Sequence, residues 1–149
     1  LKSTARKIDL HPAEAPRAQY AALPWRRDDR GRVEILLITS RETRRWIIPK
    51  GWPKGDEAPH ASALREAFEE TGVKGVVAQR PLGDYRYEKL LKTGGVQQVT
   101  VTVYALEATR ERKSWPEKQE REKMWVAPEV AAGLVDEPEL QALIAAFAP

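Results

Sequence analysis

Three glutamates crowd the middle of the chain, in the run Arg65-Glu66-Ala67-Phe68-Glu69-Glu70-Thr71-Gly72-Val73. On a helix, residues three and four apart share a face, so Glu66, Glu69 and Glu70 project to one side. Like charges at that spacing weaken a helix by roughly 0.2–0.5 kcal/mol per pair. A chain that keeps them calls for a neutralising partner, and a divalent cation supplies one. An all-oxygen ligand set points to Mg²⁺, with Mn²⁺ as a substitute, rather than to zinc.

The glutamates close a longer pattern that begins at Gly51. Gly51, Glu57, Arg65, Glu66, Glu69, Glu70 and Gly72 fill every fixed position of G-x5-E-x7-R-E-U-x-E-E-x-G-U, where U is a bulky apolar residue. Val73 fills one apolar position, and Ala67 fills the other with a smaller side chain. This stretch resembles the signature box of the Nudix hydrolases, and a fixed pattern this long is specific. The resemblance implies hydrolysis of a diphosphate linked to another moiety. Such chemistry asks for positioning, charge neutralisation and an activated water. It also implies the roles. Glu66 and Glu70 are the principal metal ligands, and Glu69 is a further ligand or the base. Gly51 offers its carbonyl to the metal, while Arg65 orients the carboxylates and Glu57 pairs with Arg65. In this family the base can also come from outside the box, which adds Glu88, Glu117 and Glu120 as candidates.

The flanks bear on the substrate. Trp46-Ile47-Ile48-Pro49-Lys50-Gly51 is similar to the W-x-x-P-K/G-G entry shared by diadenosine polyphosphate hydrolases and diphosphoinositol polyphosphate phosphohydrolases. Glu120 to Trp125 resembles the charged segment and Trp that close the sheet in the second group. That group often has a glycine triplet where this chain has Gly51-Trp52-Pro53. Arg41 and Lys50 lead the candidates for holding phosphates, with Arg17, Lys54, Arg86, Lys89, Arg121 and Lys123 behind them. Tyr85 and Tyr87 either stack on a base or pack across strands. The expected partner is therefore a small-molecule diphosphate, highly phosphorylated. The alternatives are a nucleoside triphosphate or RNA 5′-end pyrophosphohydrolase and, in another class, a non-catalytic nucleotide-binding sensor.

Composition narrows the class. The 149 residues suit one domain able to bury roughly 68–70% of its unfolded surface. With no cysteine there is no disulfide framework and no thiolate nucleophile. This fits a reducing cytoplasm. No apolar run approaches the ~20 residues of a membrane helix, so a membrane partner is not expected. A net charge of +3, with both signs interspersed, does not suggest a nucleic-acid partner. The sequence begins with Leu1 rather than Met and reads as trimmed or partial. It leaves the oligomeric state open.

The elements that must position these residues follow from pattern. Residues 1–16 read as an irregular arm and 17–149 as a single Nudix domain. Strands are expected at 17–27, with Pro24 at an edge or bulge, and at 32–40. Further strands are expected at 46–49, 76–87 with a break near Pro81, 97–107 and 122–126. Lys92-Thr93-Gly94-Gly95 reads as a hairpin turn, and 109–119 as a charged loop. A helix is expected over about 59–71, stopped by Gly72, with Ala61, Leu64 and Phe68 on its core face and His60 at the surface. Helices at 128–134 and 138–147 complete the pattern, the last with Leu140, Leu143, Ile144 and Phe147 on one face. The fold class is α/β. The order of elements gives a mixed sheet with helices on both faces, in agreement with the α/β/α sandwich the resemblance implies.

Overall fold

The computed structural model describes residues 17–149; the expected arm at 1–16 lies outside the described residues. The strands, in chain order, are β1 (Arg17–Arg27), β2 (Val33–Thr39), β3 (Trp46–Ile47), β4 (Lys50–Gly51), β5 (Val73–Val77), β6 (Gly83–Leu90), β7 (Val96–Glu111) and β8 (Lys123–Val126). The helices are α1 (Pro59–Thr71), α2 (Pro128–Leu134) and α3 (Pro138–Ala146). All eight strands join one sheet whose main path runs β3-β2-β1-β7-β5. β4 adds to β1, β6 to β7 and β8 to β2. β1 and β7 are parallel along Arg17–Trp25 and Val99–Glu107, and the remaining pairs are antiparallel.

Pro24 sits inside a central strand, in unbroken register with Leu106, and not at the edge or bulge expected. The Ala22 N–H donates to Pro49 O at 3.1 Å on the side where β4 lies. Pro24 has the same parity along the strand, so its missing N–H would point to that side too. There β1 exchanges β4 for β2, whose pairing begins at Trp25–Ile35. The proline falls in the gap between two partners and costs no ladder bond.

The expected charged loop also begins later than 109. β7 runs on to Glu111 because β5 pairs with its end, Val73 against Glu111 and Lys74 against Arg110, around a bulge at Lys74/Gly75. The break near Pro81 and the turn at 92–95 are both present.

Each face of the sheet builds its own core. Leu23, Ile35, Leu37, Val101 and Val103 pack with Leu140 and Ile144 beneath α3. Ala22, Leu36, Tyr104 and Leu106 pack with Ala63 and Ala67 of α1 on the other side. The helices therefore flank the sheet, as the pattern of elements implied.

Helix α1 departs from its expected orientation. Its buried residues are Ser62, Ala63, Glu66, Ala67, Glu70 and Thr71, while Ala61, Leu64 and Phe68 are only half-buried. Small side chains, not the largest apolar ones, meet the sheet, and the helix lies close enough to carry two glutamates inward. The small Ala67 at the box's apolar position is fully buried in this contact. Pro59 opens the helix, where its missing N–H is harmless. Gly72 ends it at φ 78°, with its N–H on Phe68 O at 2.9 Å. His60 is half-buried, 6.4 Å from the Tyr104 ring, rather than fully at the surface.

Candidate active site

β4 and α1 bring the two ends of the box together. A Cβ built on Gly51 would lie 2.2 Å from the Glu66 carboxyl carbon and 2.3–2.5 Å from its oxygens. No side chain fits there, so glycine is what lets this carboxylate reach the β4 backbone. Beside it, Glu70 is 5% exposed and Glu66 9%. Glu70 Oε1 accepts from the Lys50 backbone N–H at 3.3 Å. Arg121 Nη2 approaches Glu70 Oε2 at 3.8 Å. Burial pushes the Glu70 carboxyl well above the usual carboxylate range; Arg121 and Lys50 oppose the shift, and neighbouring Glu66 adds to it. At Glu70, burial thus outweighs the help of the nearby positive charges.

Arg65 organises the outer side of the cluster. Its guanidinium grips Glu57 with two bonds, Nε to Oε2 at 2.7 Å and Nη2 to Oε1 at 3.0 Å. Nη1 reaches Glu66 Oε2 at 2.9 Å and Glu69 Oε2 at 3.4 Å, and Nη2 also donates to Trp52 O at 3.1 Å. Glu57 is held down to about 2 by Arg65 first, then by the Ser62 hydroxyl and the Lys54 N–H. Arg65 is correspondingly raised, with the Glu57 hydrogen bonds as the largest cause.

The donors present fit a hard divalent cation: carboxylate oxygens one turn apart, beside a backbone that only glycine allows to come so close. Among the described residues no three Asp, Glu, His or Cys side chains are already gathered as a ligand shell. Glu66 and Glu69 turn toward Arg65, and Glu70 toward the Lys50 N–H.

The segment between β7 and β8 completes the site, and sequence reasoning saw only part of it. The last carbonyls of a helix lack partners within it. Here the Glu117 N–H donates to Glu69 O at 3.0 Å, Arg112 N–H to Gly72 O at 2.9 Å, and Lys123 Nζ to Thr71 O at 2.7 Å. The segment is thereby fastened to the end of α1. Arg121, 8% exposed, bonds Glu117 Oε1 at 2.9 Å and Thr39 O at 3.1 Å while facing Glu70. Of the three loop glutamates, the structure brings Glu117 to the cluster. Glu120 pairs with Arg41 at 3.1 Å, and Glu88 accepts from Gln98 on the β6–β7 hairpin at 3.1 Å. Arg121 was expected to hold phosphate; the structure instead turns it inward onto Glu117 and toward Glu70.

The expected phosphate-holding residues are distributed around the box. Lys54 Nζ lies 3.8 Å from Glu69 Oε2, and the Arg17 guanidinium sits 4.7 Å over the Trp52 ring. Arg41 is exposed and tied to Glu120. Lys50 is half-buried, with its Nζ 5.0 Å from the Tyr87 ring centroid. Burial lowers Lys50 to about 8, against the pull of Glu70 and Glu137 and with a push from Arg121 and Arg45. Tyr85 is 1% exposed in the core, so its ring packs within the sheet instead of facing a ligand. Tyr87 is half-buried and donates to Gln19 Oε1 at 2.8 Å.

Two hollows lie elsewhere. One, of about 530 Å³, runs between Trp25, Val76 and Phe147, with Glu107 its one charged side chain. The other, of about 350 Å³, lies by Leu64, Phe68 and Lys74 on α1's outer side. Neither carries convergent carboxylates such as those of the glutamate cluster.

The model of the NUDIX domain matches residues 16–147, nearly the whole chain. The chain belongs to the Nudix family. Nudix hydrolase 12, mitochondrial, of Arabidopsis thaliana is 33% identical over 109 residues, covering 69% of this chain and 52% of that protein. Diphosphoinositol polyphosphate phosphohydrolase 3-beta of Bos taurus is 33% identical over 115 residues, covering 77% and 65%. The chain spans about half the length of the curated relatives it matches first. Among solved structures, a C. elegans Ap4A hydrolase binary complex aligns with TM-score 0.63 at 20% identity, over 86% of this chain and 92% of that one. A MutT protein from Methanosarcina mazei Go1 aligns with TM-score 0.65 at 22% identity, over 89% and 92%. These likenesses establish the Nudix fold. No helix among the described residues is long and apolar enough to cross a membrane.

Proposed function

We propose that this Nudix domain is a Mg²⁺-dependent hydrolase of a phosphoanhydride bond in a highly phosphorylated small molecule, a diadenosine polyphosphate or a diphosphoinositol polyphosphate. Mn²⁺ substitutes for Mg²⁺. The observation that carries the reading is the inward pair, Glu66 against Gly51 and Glu70 against the Lys50 N–H, with Arg65 clamped to Glu57 behind them. The substrate classes rest on the flanks of the box and on the names of a relative and a structural neighbour.

Glu66, Glu70, Glu69 and the Gly51 carbonyl would hold the cation. When bound, it polarises phosphoryl oxygens and acidifies a water. Arg65 keeps Glu66 and Glu69 in place. Lys54, Arg17 and Arg41 meet the phosphates from solvent, and Lys50 meets them from within. The water oxygen adds to one phosphorus, the bridging P–O bond breaks, and the departing phosphate leaves as an anion. The water's proton passes to a carboxylate, Glu69 or Glu117, which are fastened to each other at the end of α1. A cytoplasmic location, as expected of a cysteine-free chain, belongs to the same proposal.

The test is a panel of diphosphates incubated with Mg²⁺ or Mn²⁺, with products identified. Cleavage of a diadenosine or diphosphoinositol polyphosphate supports the reading. Cleavage of nucleoside triphosphates or RNA 5′ ends alone transfers it to the pyrophosphohydrolase alternative. Binding without cleavage makes the chain a sensor, against which the intact set of box glutamates stands.

A further inference from the structure

Strand β5 ends the main path of the sheet. It pairs with β7 and, among the described residues, with no other strand. Past its end, the Ala78 N–H donates to Ala105 O at 2.9 Å and continues that ladder. Alternation therefore turns the N–H and C=O of Gly75 and Val77 outward, along an open edge. An open edge is a template for another strand.

Each face beside this edge holds a hollow. On the α3 face, Val76 lines the hollow of about 530 Å³ together with Leu82, Leu143 and Phe147. Val76 is 65% exposed, so an apolar side chain stands at the edge without cover. On the α1 face, the hollow of about 350 Å³ lies between Leu64 and Phe68 of α1 and Lys74 and Gly75 of β5. A strand sends successive side chains to opposite faces. One laid along β5 would fill the two hollows in alternation.

Charge decides the occupant. Lys74 stands opposite Arg110 in the register of β5 and β7. Both are exposed, and neither has an ion pair among the described residues. Like charges directly opposite destabilise a strand pair, so an anionic neighbour is favoured here. Lys74 Nζ lies 4.9 Å from the Phe68 ring centroid, which puts this charge on the α1 face. The α3 face has Glu107 in its hollow instead. The incoming strand should therefore carry acid on one face and apolar side chains on the other. A second copy of this chain does not suit the edge, because a two-fold contact returns the same cations to it. Residues 1–16 do not suit it either, since Lys2, Arg6 and Lys7 outnumber Asp9 and Glu14.

We propose that β5 is a docking edge for an extended acidic peptide of a partner protein. The peptide adds as a further strand, with carboxylates toward Lys74 and Arg110 and apolar side chains toward Val76. The inference is independent of the hydrolysis at the glutamate cluster.

The test is amide hydrogen exchange by NMR on the full chain, with a short peptide alternating glutamate and leucine as the probe. The Gly75 and Val77 amides should exchange readily in the protein alone and at least about ten-fold more slowly with the peptide. Affinity, followed by fluorescence anisotropy, should fall at least about ten-fold when lysine replaces glutamate in the peptide. The double variant Lys74→Glu/Arg110→Glu should lose as much for the acidic peptide, with its thermal midpoint recorded to show that it folds. Amides already protected in the free chain at every concentration would place residues 1–16 on the edge. Protection that grows with protein concentration would place a second copy there, and either result overturns the inference. It is equally overturned if the double variant binds the acidic peptide like the wild type, or if the peptide leaves the Gly75 and Val77 amides unprotected.

Discussion

Helix α3 meets its face of the sheet through Leu140 and Ile144, whereas α1 meets the opposite face through Ala63 and Ala67 with Glu66 and Glu70 beside them. The first contact is made of large apolar side chains, each worth about 1.5–3 kcal/mol when fully buried. The second gives up that area. Small residues let the helix approach, and the space is used to bring Glu66 against Gly51 and Glu70 against the Lys50 N–H. The difference teaches that one layer of the sandwich is held by large apolar side chains while the other trades that area for buried carboxylates flanked by Arg65 and Arg121. The supports differ accordingly. α3 leans on packing, and α1 leans on Arg65 at its middle and on the segment carrying Glu117 and Arg121 at its C-terminal end.

Mutations should separate the two layers. Leu140→Ala should cost about 2–5 kcal/mol by chemical denaturation, through lost burial and a cavity, with turnover per folded molecule preserved. A matching loss of turnover in the folded fraction would show that the layers are not independent. Gly51→Ala should do the reverse. Its methyl group collides with the Glu66 carboxylate, so turnover should fall by more than about 100-fold, beyond the usual effect of disturbing a metal ligand's support. Steady-state assay of the folded variant checks it, and near-normal turnover would place Glu66 outside the reaction. Arg65→Lys keeps the charge but loses the fork on Glu57, so turnover should drop about 10–100-fold. The smallest effect concerns acid stability. Glu57 is depressed in the folded state, so its contribution is fully present above its unfolded value and fades as pH falls from about 4.5 toward 2. Glu57→Gln should be less stable than wild type at neutral pH, and the gap should close across that acid window. A gap that stays constant with pH would mean that the Glu57–Arg65 clamp does not stabilise the fold.

Much of this was legible in the sequence because it is local. The proline start and glycine stop of α1, the hairpin turn at 92–95 and the seven fixed residues of the box are all short-range features. Other features depend on distant partners. Apolar periodicity favoured Leu64 and Phe68 as the core face of α1, since it weighs size and cannot see that a sheet will come close enough to prefer Ala63 and Ala67. Pro24 reads as an edge residue until β4 and β2 are seen to share one side of β1. Glu117 and Arg121 reach the cluster because the carbonyls ending α1 need donors, and the chain supplies them some 45 residues later by count along the sequence. The open edge of β5 is a property of topology, with no counterpart in pattern.

The central claim is that Glu66 and Glu70 form a cation site, and Mn²⁺ titration followed by electron paramagnetic resonance tests it most directly. The wild type should bind Mn²⁺ saturably, with Mg²⁺ competing for the same site. Glu70→Gln should weaken that binding by at least about ten-fold while folding as well as the wild type, since it replaces a carboxylate that burial disfavours in its charged form with a neutral side chain of the same shape. Wild-type affinity in Glu70→Gln would contradict the account.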